Sequence, residues 1–368
     1  VSTDGLAGKI ARRIRAEGPL SVAAFMTMAL YDPEGGYYMT GRPIGAAGDF
    51  VTAPEVSQIF GELIGVWCAL VWERMGQPPA VAVAELGPGR GTLAADLLRA
   101  ARVAPEFHRA IRLHLIEISP ALRAVQQQRL ASADAVWLAR VEDLPEGPLI
   151  LLANEFLDAL PIRQLVRRPG GWVERLVGLD QQDRLVFTLG PPNPTLGLLV
   201  PAALRETAPI DGVFEICPAA ATLAATLAAR LARSPGAALF IDYGCRESGL
   251  GASLRAFRDH APVDPLAAPG TADLSAGVDF AAIAETAAAA GARACGPVPQ
   301  GAFLRQLGAA ARLERLCRHA PAAQREALAS GAKRLLDPEQ MGSLYQVLAL
   351  TSGDWGMPPG FEGWQPTR

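Results

Sequence analysis

The chain has 368 residues, 50% of them hydrophobic and 19% charged, with a formal net charge of −3. That composition fits a globular protein with a sizeable core, and the low charge argues against a general nucleic-acid or membrane-surface binder. Cys68, Cys217, Cys245, Cys295 and Cys317 form no C-x-x-C pair and the four histidines are scattered, so the expectation is no metal site and free thiols in a reducing, cytoplasmic compartment.

Val1 to Arg15 is amphipathic and basic but has no apolar signal-peptide segment. Residues 5–31 read as two helices interrupted by Gly18-Pro19, the second opening at the N-cap residue Ser21. Tyr31 to Tyr38 is full of turn formers, with aromatic rings that need a surface to pack on. Gly41 to Pro54 continues as an irregular glycine-rich loop. Between Glu55 and Met75, Ile59, Leu63, Trp67, Leu70 and Val71 recur at helical spacing. Gln77-Pro78-Pro79 then stops the helix and marks a boundary.

Beyond that boundary the character changes. Val81 to Leu86 is a Val-rich apolar run, as in a buried parallel strand. Gly87 to Gly91 is a turn and Thr92 to Arg102 is helical. Leu113 to Ile118 is the next strand, and Ser119-Pro120 starts another helix. Ala135 to Leu138 and Leu149 to Ala153 complete a βαβαβ alternation, which calls for a parallel sheet covered by helices on both faces.

Farther on, Ile162–Arg168 and Trp172–Gly178 flank a Pro-Gly-Gly turn and predict a hairpin, with Leu185–Leu189 as a further strand. Pro191–Pro209 reads as a Pro-rich connection. Pro218–Arg233 is a helix, whose Ala-rich stretch is interrupted by Thr222, Thr226 and Arg230. No run of 18 apolar residues exists, so stable membrane insertion is not expected. Ala237–Tyr243 is another buried strand and Gly244–Ser275 a long loop-rich insertion. Val278–Ala290 is helical, Ala292–Pro297 a strand, and the tail helical with a last strand at Leu344–Leu350. The resulting fold class is α/β: a Rossmann-like sheet domain over 79–368, with insertions near 162–212, 244–275 and 299–340, behind an N-terminal helical cap and loop over 1–78.

Chemistry concentrates at the ends of these strands. Glu85-Leu-Gly-Pro-Gly-Arg-Gly91 sits between a strand and a helix. Gly87, Gly89 and Gly91 let the backbone turn tightly and approach a ligand. Dinucleotide enzymes use G-x-G-x-x-G to cradle a pyrophosphate. The spacing here is G-x-G-x-G behind an acid, which suits S-adenosyl-L-methionine: it has no phosphate but carries a cationic amino group that Glu85 can face. A glycine-rich turn without ligand is the competing reading. Glu117, with Ile118 beside it, ends the next strand, where an acid accepts hydrogen bonds from ribose hydroxyls; dipole compensation at the following helix is the alternative. Glu142 and Asp143 follow the third strand, where an adenine amino group is commonly bound, unless they form a solvated acidic turn. Asn154 and Glu155 follow the fourth strand, beside the position of a transferable methyl group. Buried polar residues there need a partner or a purpose, of which helix capping by Asn154 is one. No Ser-His-Asp or Cys-His constellation is evident; His114 reads as a core residue, His108 and His319 as surface residues.

Several segments together resemble the MidA-like methyltransferase family, which includes the mitochondrial complex I assembly-factor arginine methyltransferases. They are Leu30–Tyr38, Gly48–Glu62, Glu85–Leu93, Ala153–Pro161, Ile241–Gly244, Pro269–Leu274 and Val278–Phe280, in order and nearly end to end. The resemblance implies a class I methyltransferase fold, S-adenosyl-L-methionine as cofactor, and symmetric dimethylation of an arginine in a respiratory complex I subunit, in support of complex assembly. It implies that Gly48, Thr52 and Pro54 cover the cofactor site and that Asn154-Glu155 is the family's polar–Glu pair. Gly277 departs from the polar residue or His expected there. Ala, Gly, Pro and Arg abundance suggests a GC-rich, bacterial genome, for which the compartment would be the cytoplasm; the eukaryotic relatives belong to the mitochondrial matrix.

Methyl transfer to a guanidinium needs orientation and a carboxylate with a bidentate grip. Glu155 is expected to supply it, with Asn154 and Asp49 as further catalytic residues and Asp49, Glu55, Asp158 and Glu215 as candidates for a second acid. Two rivals stand beside this: a nicotinamide-dependent oxidoreductase on a similar sheet, and a non-catalytic assembly scaffold that retains the fold.

Overall fold

The computed structural model describes residues 5–40, 51–353 and 355–365. Among the described residues the central sheet has eight strands, seven of them on its main path: β1 (Val81–Leu86), β2 (Ile111–Ile116), β3 (Ala135–Leu138), β4 (Leu149–Asn154), β5 (Gly236–Cys245), β6 (Arg293–Pro299) and β7 (Tyr345–Thr351); the eighth, Val278–Asp279, where helix was expected, pairs in parallel with the end of β5. Along the main path the spatial order is β3-β2-β1-β4-β5-β7-β6. The first five pair in parallel, whereas β7 runs antiparallel to both β5 and β6. The chain order therefore reverses between β1 and β4, and in an open α/β sheet ligands bind at the carboxyl ends of the strands beside such a switch point.

Both faces of the sheet are buried, which explains the near-continuous apolar runs. In β1, Val81 and Val83 enter one core cluster while Ala82, Ala84 and Leu86 enter the other. The first cluster takes in α3 (Gln58–Arg74), α4 (Thr92–Ala101) and the helical segments between β6 and β7. The second takes in α6 (Pro218–Leu231) and α7 (Phe280–Ala289), where the small side chains Ala220, Ala224 and Ala228 let the helix lie close to the strands. Each fully buried Leu, Val or Phe contributes on the order of 1.5–3 kcal/mol.

A third cluster joins α1 (Leu6–Glu17) and α2 (Val22–Tyr31) to two smaller sheets outside the main one. The predicted hairpin is Arg163–Arg168 with Gly171–Leu179, extended by Leu185–Leu189. Two partners were not expected: Leu20–Ser21 adds to the hairpin from the N-terminal region, and Val213–Ile216 pairs with Arg163–Arg168 on its other side.

Several boundaries differ from the sequence reading. Gly244–Ser275 is not loop throughout, since Arg255–Arg258, Ala261–Val263 and Asp273–Ser275 form a three-stranded antiparallel sheet. The helix expected from Glu55 is broken at Ser57, whose hydroxyl caps α3 by accepting from the Ile59 N–H. Leu70, read as part of that helix's apolar face, is exposed. The cysteines are free: Cys68 and Cys295 are buried, Cys217 and Cys317 half-buried and Cys245 exposed. No helix among the described residues is long and apolar enough to cross a membrane, and no group of potential metal ligands occurs among them.

Candidate active site

The carboxyl ends of β1, β2 and β4 open onto one cavity of about 380 Å³. Its first half is built by the β1–α4 turn. Gly87, Gly89 and Gly91 all take positive φ, at 57°, 52° and 76°, where an ordinary residue is strained by roughly 1–2 kcal/mol. A Cβ on Gly87 would also lie 2.8 Å from the Phe156 ring. A Cβ on Gly89 would meet nothing within 4 Å, so there the backbone faces the open cavity. Gly91 is the left-handed N-cap of α4.

Two acids flank this turn. Glu85 is only 5% exposed, and its Oε2 has no hydrogen-bond partner. Burial pushes its carboxyl up to about 8, with a smaller push from the Glu117 charge and an opposing hydrogen bond from the Ala94 backbone. Glu117 is also buried, and burial raises its pKa against the hydrogen bonds that favour its charge. The Ser119 N–H donates to its Oε1 at 2.7 Å and Gln126 Nε2 to its Oε2 at 3.0 Å. Gln126, on the helix α5 (Pro120–Arg129), is fully buried. It also donates to the Gly89 carbonyl at 2.8 Å and accepts from Trp137 Nε1 at 2.9 Å. One side chain thus couples the glycine turn, the acid of β2 and strand β3. Sequence reading missed it, because a Gln inside a polar helix has no distinguishing spacing.

The second half of the cavity lies beyond β4. Glu155 has φ +49°, unusual for a residue with a side chain, and its N–H donates to the Ile241 carbonyl at 2.8 Å. Its Oε1 accepts from the Ala53 N–H at 2.7 Å and from Asn154 Nδ2 at 3.2 Å; its Oε2 accepts from the Tyr345 hydroxyl at 3.2 Å. Burial raises its pKa, opposed by those three bonds and by the charge of Arg334. Asn154 Oδ1 is buried without a partner. The turn that follows is held by Asp242, whose Oδ2 accepts from the N–H groups of Phe156, Leu157 and Asp158 at 3.1, 2.8 and 3.2 Å. Asp242 is wholly buried, and burial, with Glu155 nearby, pushes it up to about 7. Asp158 is driven well above the usual carboxylate range by burial and then by Asp242, Asp273 and Glu155.

The far wall comes from distant segments. Tyr31, Tyr37, Tyr38 and Asp273 line the same cavity as Glu155 and Asp158. The Tyr38 hydroxyl donates to Asp273 Oδ1 at 2.8 Å and the Tyr31 hydroxyl to the Ala159 carbonyl at 2.9 Å.

Of the residues singled out from sequence, Glu85, Gly87, Gly89, Glu117, Ile118, Asn154, Glu155, Thr52 and Pro54 all line this cavity. Gly91 closes the turn without lining it. Glu142 and Asp143 do not reach it: both are exposed in the turn Val141–Asp143, Glu142 pairs with Arg140 at 3.3 Å, and Ala139 forms that part of the wall instead. Glu55 lines the cavity but accepts from the Thr92 hydroxyl and lies 3.8 Å from Arg90. Glu215 lines a different cavity of about 560 Å³, where Gln164 and Ser253 bind it. Gly48 and Asp49 lie outside the described residues. His114 is buried with Nδ1 2.9 Å from the Arg112 carbonyl, and His108 and His319 are exposed.

The sheet order and the glycine turn fit a known group of enzymes, and comparison with known proteins decides the matter. Residues 63–298 match the family described as S-adenosyl-L-methionine-dependent methyltransferases. The chain belongs to this family. S-adenosyl-L-methionine is accordingly its cofactor and the fold is the class I methyltransferase fold; the nicotinamide reading falls. The chain is 36% identical over 382 residues to the mitochondrial protein arginine methyltransferase NDUFAF7 homolog of Drosophila melanogaster, covering 94% of this chain and 85% of that one. It is 35% identical over 365 residues to the Homo sapiens protein arginine methyltransferase NDUFAF7, covering 92% and 81%. A candidate methyl transferase of Burkholderia thailandensis, crystallised with S-adenosyl-homocysteine, superposes on this methyltransferase with a TM-score of 0.82 at 29% identity, covering 97% of this chain and 94% of that one.

Proposed function

We propose that this methyltransferase methylates arginine side chains of a protein, and that the cavity divides into a nucleoside half at β1–β2 and an acceptor half beyond β4. The residues present fit the cofactor. Glu85 offers a buried, unpartnered carboxylate oxygen to a cationic amino group. Gly89 leaves the backbone bare in the same turn, and Glu117 follows the end of β2, the position at which an acid takes ribose hydroxyls in such sheets. When bound, S-adenosyl-L-methionine supplies an electrophilic methyl group on a sulfonium.

The observation that carries the arginine reading is Glu155: a carboxylate at the end of β4, lining the cavity and held by three separate donors. Those donors fix its orientation before substrate arrives. Two of the three bonds fall on Oε1, so the acceptor position left open is on Oε2, where a guanidinium N–H can be received beside the Tyr345 hydroxyl. Holding the acceptor nitrogen in line contributes through orientation, worth up to roughly 7–11 kcal/mol in favourable cases. Asn154 assists by fixing Glu155, and Asp49 remains a further catalytic candidate.

The named activity of the relatives supports the arginine assignment. A subunit of respiratory complex I is the proposed target, and the scattered free thiols fit a reducing compartment such as a bacterial cytoplasm. The test is Glu155→Gln, with methyl transfer from labelled cofactor and S-adenosyl-homocysteine binding measured separately. Loss of transfer with binding kept is expected. Undiminished transfer would remove Glu155 from the mechanism, and absence of any transfer by the unaltered protein would favour the scaffold reading.

A further inference from the structure

We propose that Tyr345 touches the acceptor: its phenolic oxygen accepts one N–H of a guanidinium edge whose neighbouring N–H goes to Glu155 Oε2. This rests on the arginine reading above and adds to it a substrate contact from outside the parallel strands. Tyr345 is the first residue of β7. Because β7 runs antiparallel to β5, it begins at the edge where the parallel strands end. Tyr345 pairs with Tyr243 on β5, and Ile241 of the same strand pairs with Asn154 on β4. The reversed strand thus brings its opening side chain to the carboxyl edge, next to the residue that follows β4.

Packing and hydrogen bonds fix the ring there. Its aromatic body packs against the first core cluster, and its backbone N–H donates to the Met341 carbonyl in the turn Met341–Leu344. Its hydroxyl donates to Glu155 Oε2 at 3.2 Å, and both residues line the same cavity. Burial, then the charges of Glu155, Asp158 and Asp242, hold the pKa of this hydroxyl well above its usual value. The phenol therefore keeps its proton, and that proton is directed at Glu155. What the phenolic oxygen has left to offer is acceptor capacity. Among the described residues no group donates to it.

The arrangement of acceptors selects a flat, two-pronged donor. Glu155 Oε1 is already engaged by the Ala53 N–H and by Asn154 Nδ2, so the carboxylate cannot take both N–H groups of a guanidinium edge by itself. Oε2 and the Tyr345 oxygen are 3.2 Å apart on the wall of the cavity. A guanidinium carries N–H groups side by side in a rigid plane, and two neighbouring acceptors receive such a pair. One contact to Oε2 would leave the plane free to swing about it. The second contact stops that rotation and sets the direction of the nitrogen that takes the methyl group, which is where orientation acts on rate.

The experiment uses the full chain saturated with S-adenosyl-homocysteine and titrated with acetyl-arginine amide, comparing Tyr345→Phe with the unaltered protein from about pH 6 to about pH 9. The hydroxyl also favours the charged form of Glu155, so a residue acting only through that charge would lose its effect once the pH ionises Glu155 without it. Asp158 and Asp242 face Glu155 from its own turn and from β5, and Arg334 from the helix Ala322–Leu336. Comparing the two proteins at the same pH cancels the titration of these groups. Tyr345→Phe should weaken binding of the arginine probe about tenfold at every pH, lower kcat for methyl transfer and leave S-adenosyl-homocysteine affinity unchanged. A crystal structure of the variant should show Glu155 still on Ala53 and Asn154. Unchanged arginine binding overturns the inference. So does recovery of normal binding at the alkaline end, or a Glu155 turned away in the variant, either of which would make Tyr345 a support for Glu155 alone. A parallel loss of S-adenosyl-homocysteine binding overturns it as well, by marking the residue as structural. Failure of the unaltered protein to bind the arginine probe, together with no methyl transfer in the Glu155 experiment, would instead bring down the arginine reading and this inference with it.

Discussion

Gln126 donates a 3.0 Å hydrogen bond to Glu117 from a position with no solvent exposure. Its amide also holds the Gly89 carbonyl and accepts from Trp137. Replacing it with alanine removes a hydrogen bond to a charged group, worth about 1.5–3 kcal/mol, and leaves a buried carboxylate under-satisfied. The expected outcome for Gln126→Ala is a weakening of S-adenosyl-homocysteine binding by roughly tenfold or more, read by isothermal titration. A variant that melts earlier but binds the nucleoside with unchanged affinity would show that Gln126 serves stability alone.

Gly87 carries two independent constraints, a φ of +57° and a Phe156 ring 2.8 Å from where a Cβ would stand. Gly87→Ala should therefore destabilise the fold by about 1–3 kcal/mol through backbone strain and displace the turn that faces the cavity. Both a lowered melting temperature and weaker S-adenosyl-homocysteine binding are expected. Gly89→Ala separates the two effects: its added Cβ meets nothing in the protein, so its loss of affinity should exceed what backbone strain alone explains. Wild-type affinity in Gly89→Ala would mean that the ligand does not approach this part of the turn.

Asp242 and Leu157 are linked by a 2.8 Å bond from the Leu157 N–H, one of three consecutive N–H groups gathered on the same carboxylate oxygen. The turn so formed presents Glu155 on one side and Asp158 on the other. In Asp242→Asn an amide replaces the acceptor pair, and one of its ends cannot accept from any N–H. Misplacement of reacting groups by about 1 Å can cost on the order of a hundredfold in rate. The prediction is a fall of about 10–100-fold in kcat for methyl transfer with S-adenosyl-homocysteine affinity within about threefold of normal. Unchanged kcat would show that the turn keeps its shape without this carboxylate.

The parallel sheet was legible because its strands are buried on both faces and so appear as short apolar runs, and because the glycine turn is local in sequence. The strand-end residues Glu85, Glu117, Asn154 and Glu155 were legible for the same reason: a polar residue that ends an apolar run marks the carboxyl edge. What escaped reading depends on long separations. Tyr38 meets Asp273 across 235 residues and Tyr31 meets Ala159 across 128, and no periodicity encodes such pairs. The segment 244–275 looked like loop because its strands span only three or four residues. Val213–Ile216 was hidden by the Pro-rich connection before it, and it pairs with Arg163–Arg168, far back in the chain. Glu142 and Asp143 had the right composition for a ligand contact, but the turn after β3 directs them to solvent.

Glu85 makes the nucleoside half sensitive to pH. Burial lifts its carboxyl from an ordinary value near 4.5 to about 8. An acid with a raised folded-state pKa contributes stability that is fully present below its unfolded pKa and is lost as pH rises through the folded one. The ligand-free protein should therefore melt at progressively lower temperature between about pH 5 and 8, and Glu85→Gln should flatten that slope. A cationic amino group placed against Glu85 favours the charged carboxylate, so the site should release a proton when S-adenosyl-homocysteine binds at neutral pH. Titrations at pH 7 in buffers of different ionisation enthalpy count that proton directly. Proton release in the unaltered protein that disappears in Glu85→Gln is the expected result. Identical buffer dependence in both proteins would mean that Glu85 does not face the ligand's amino group.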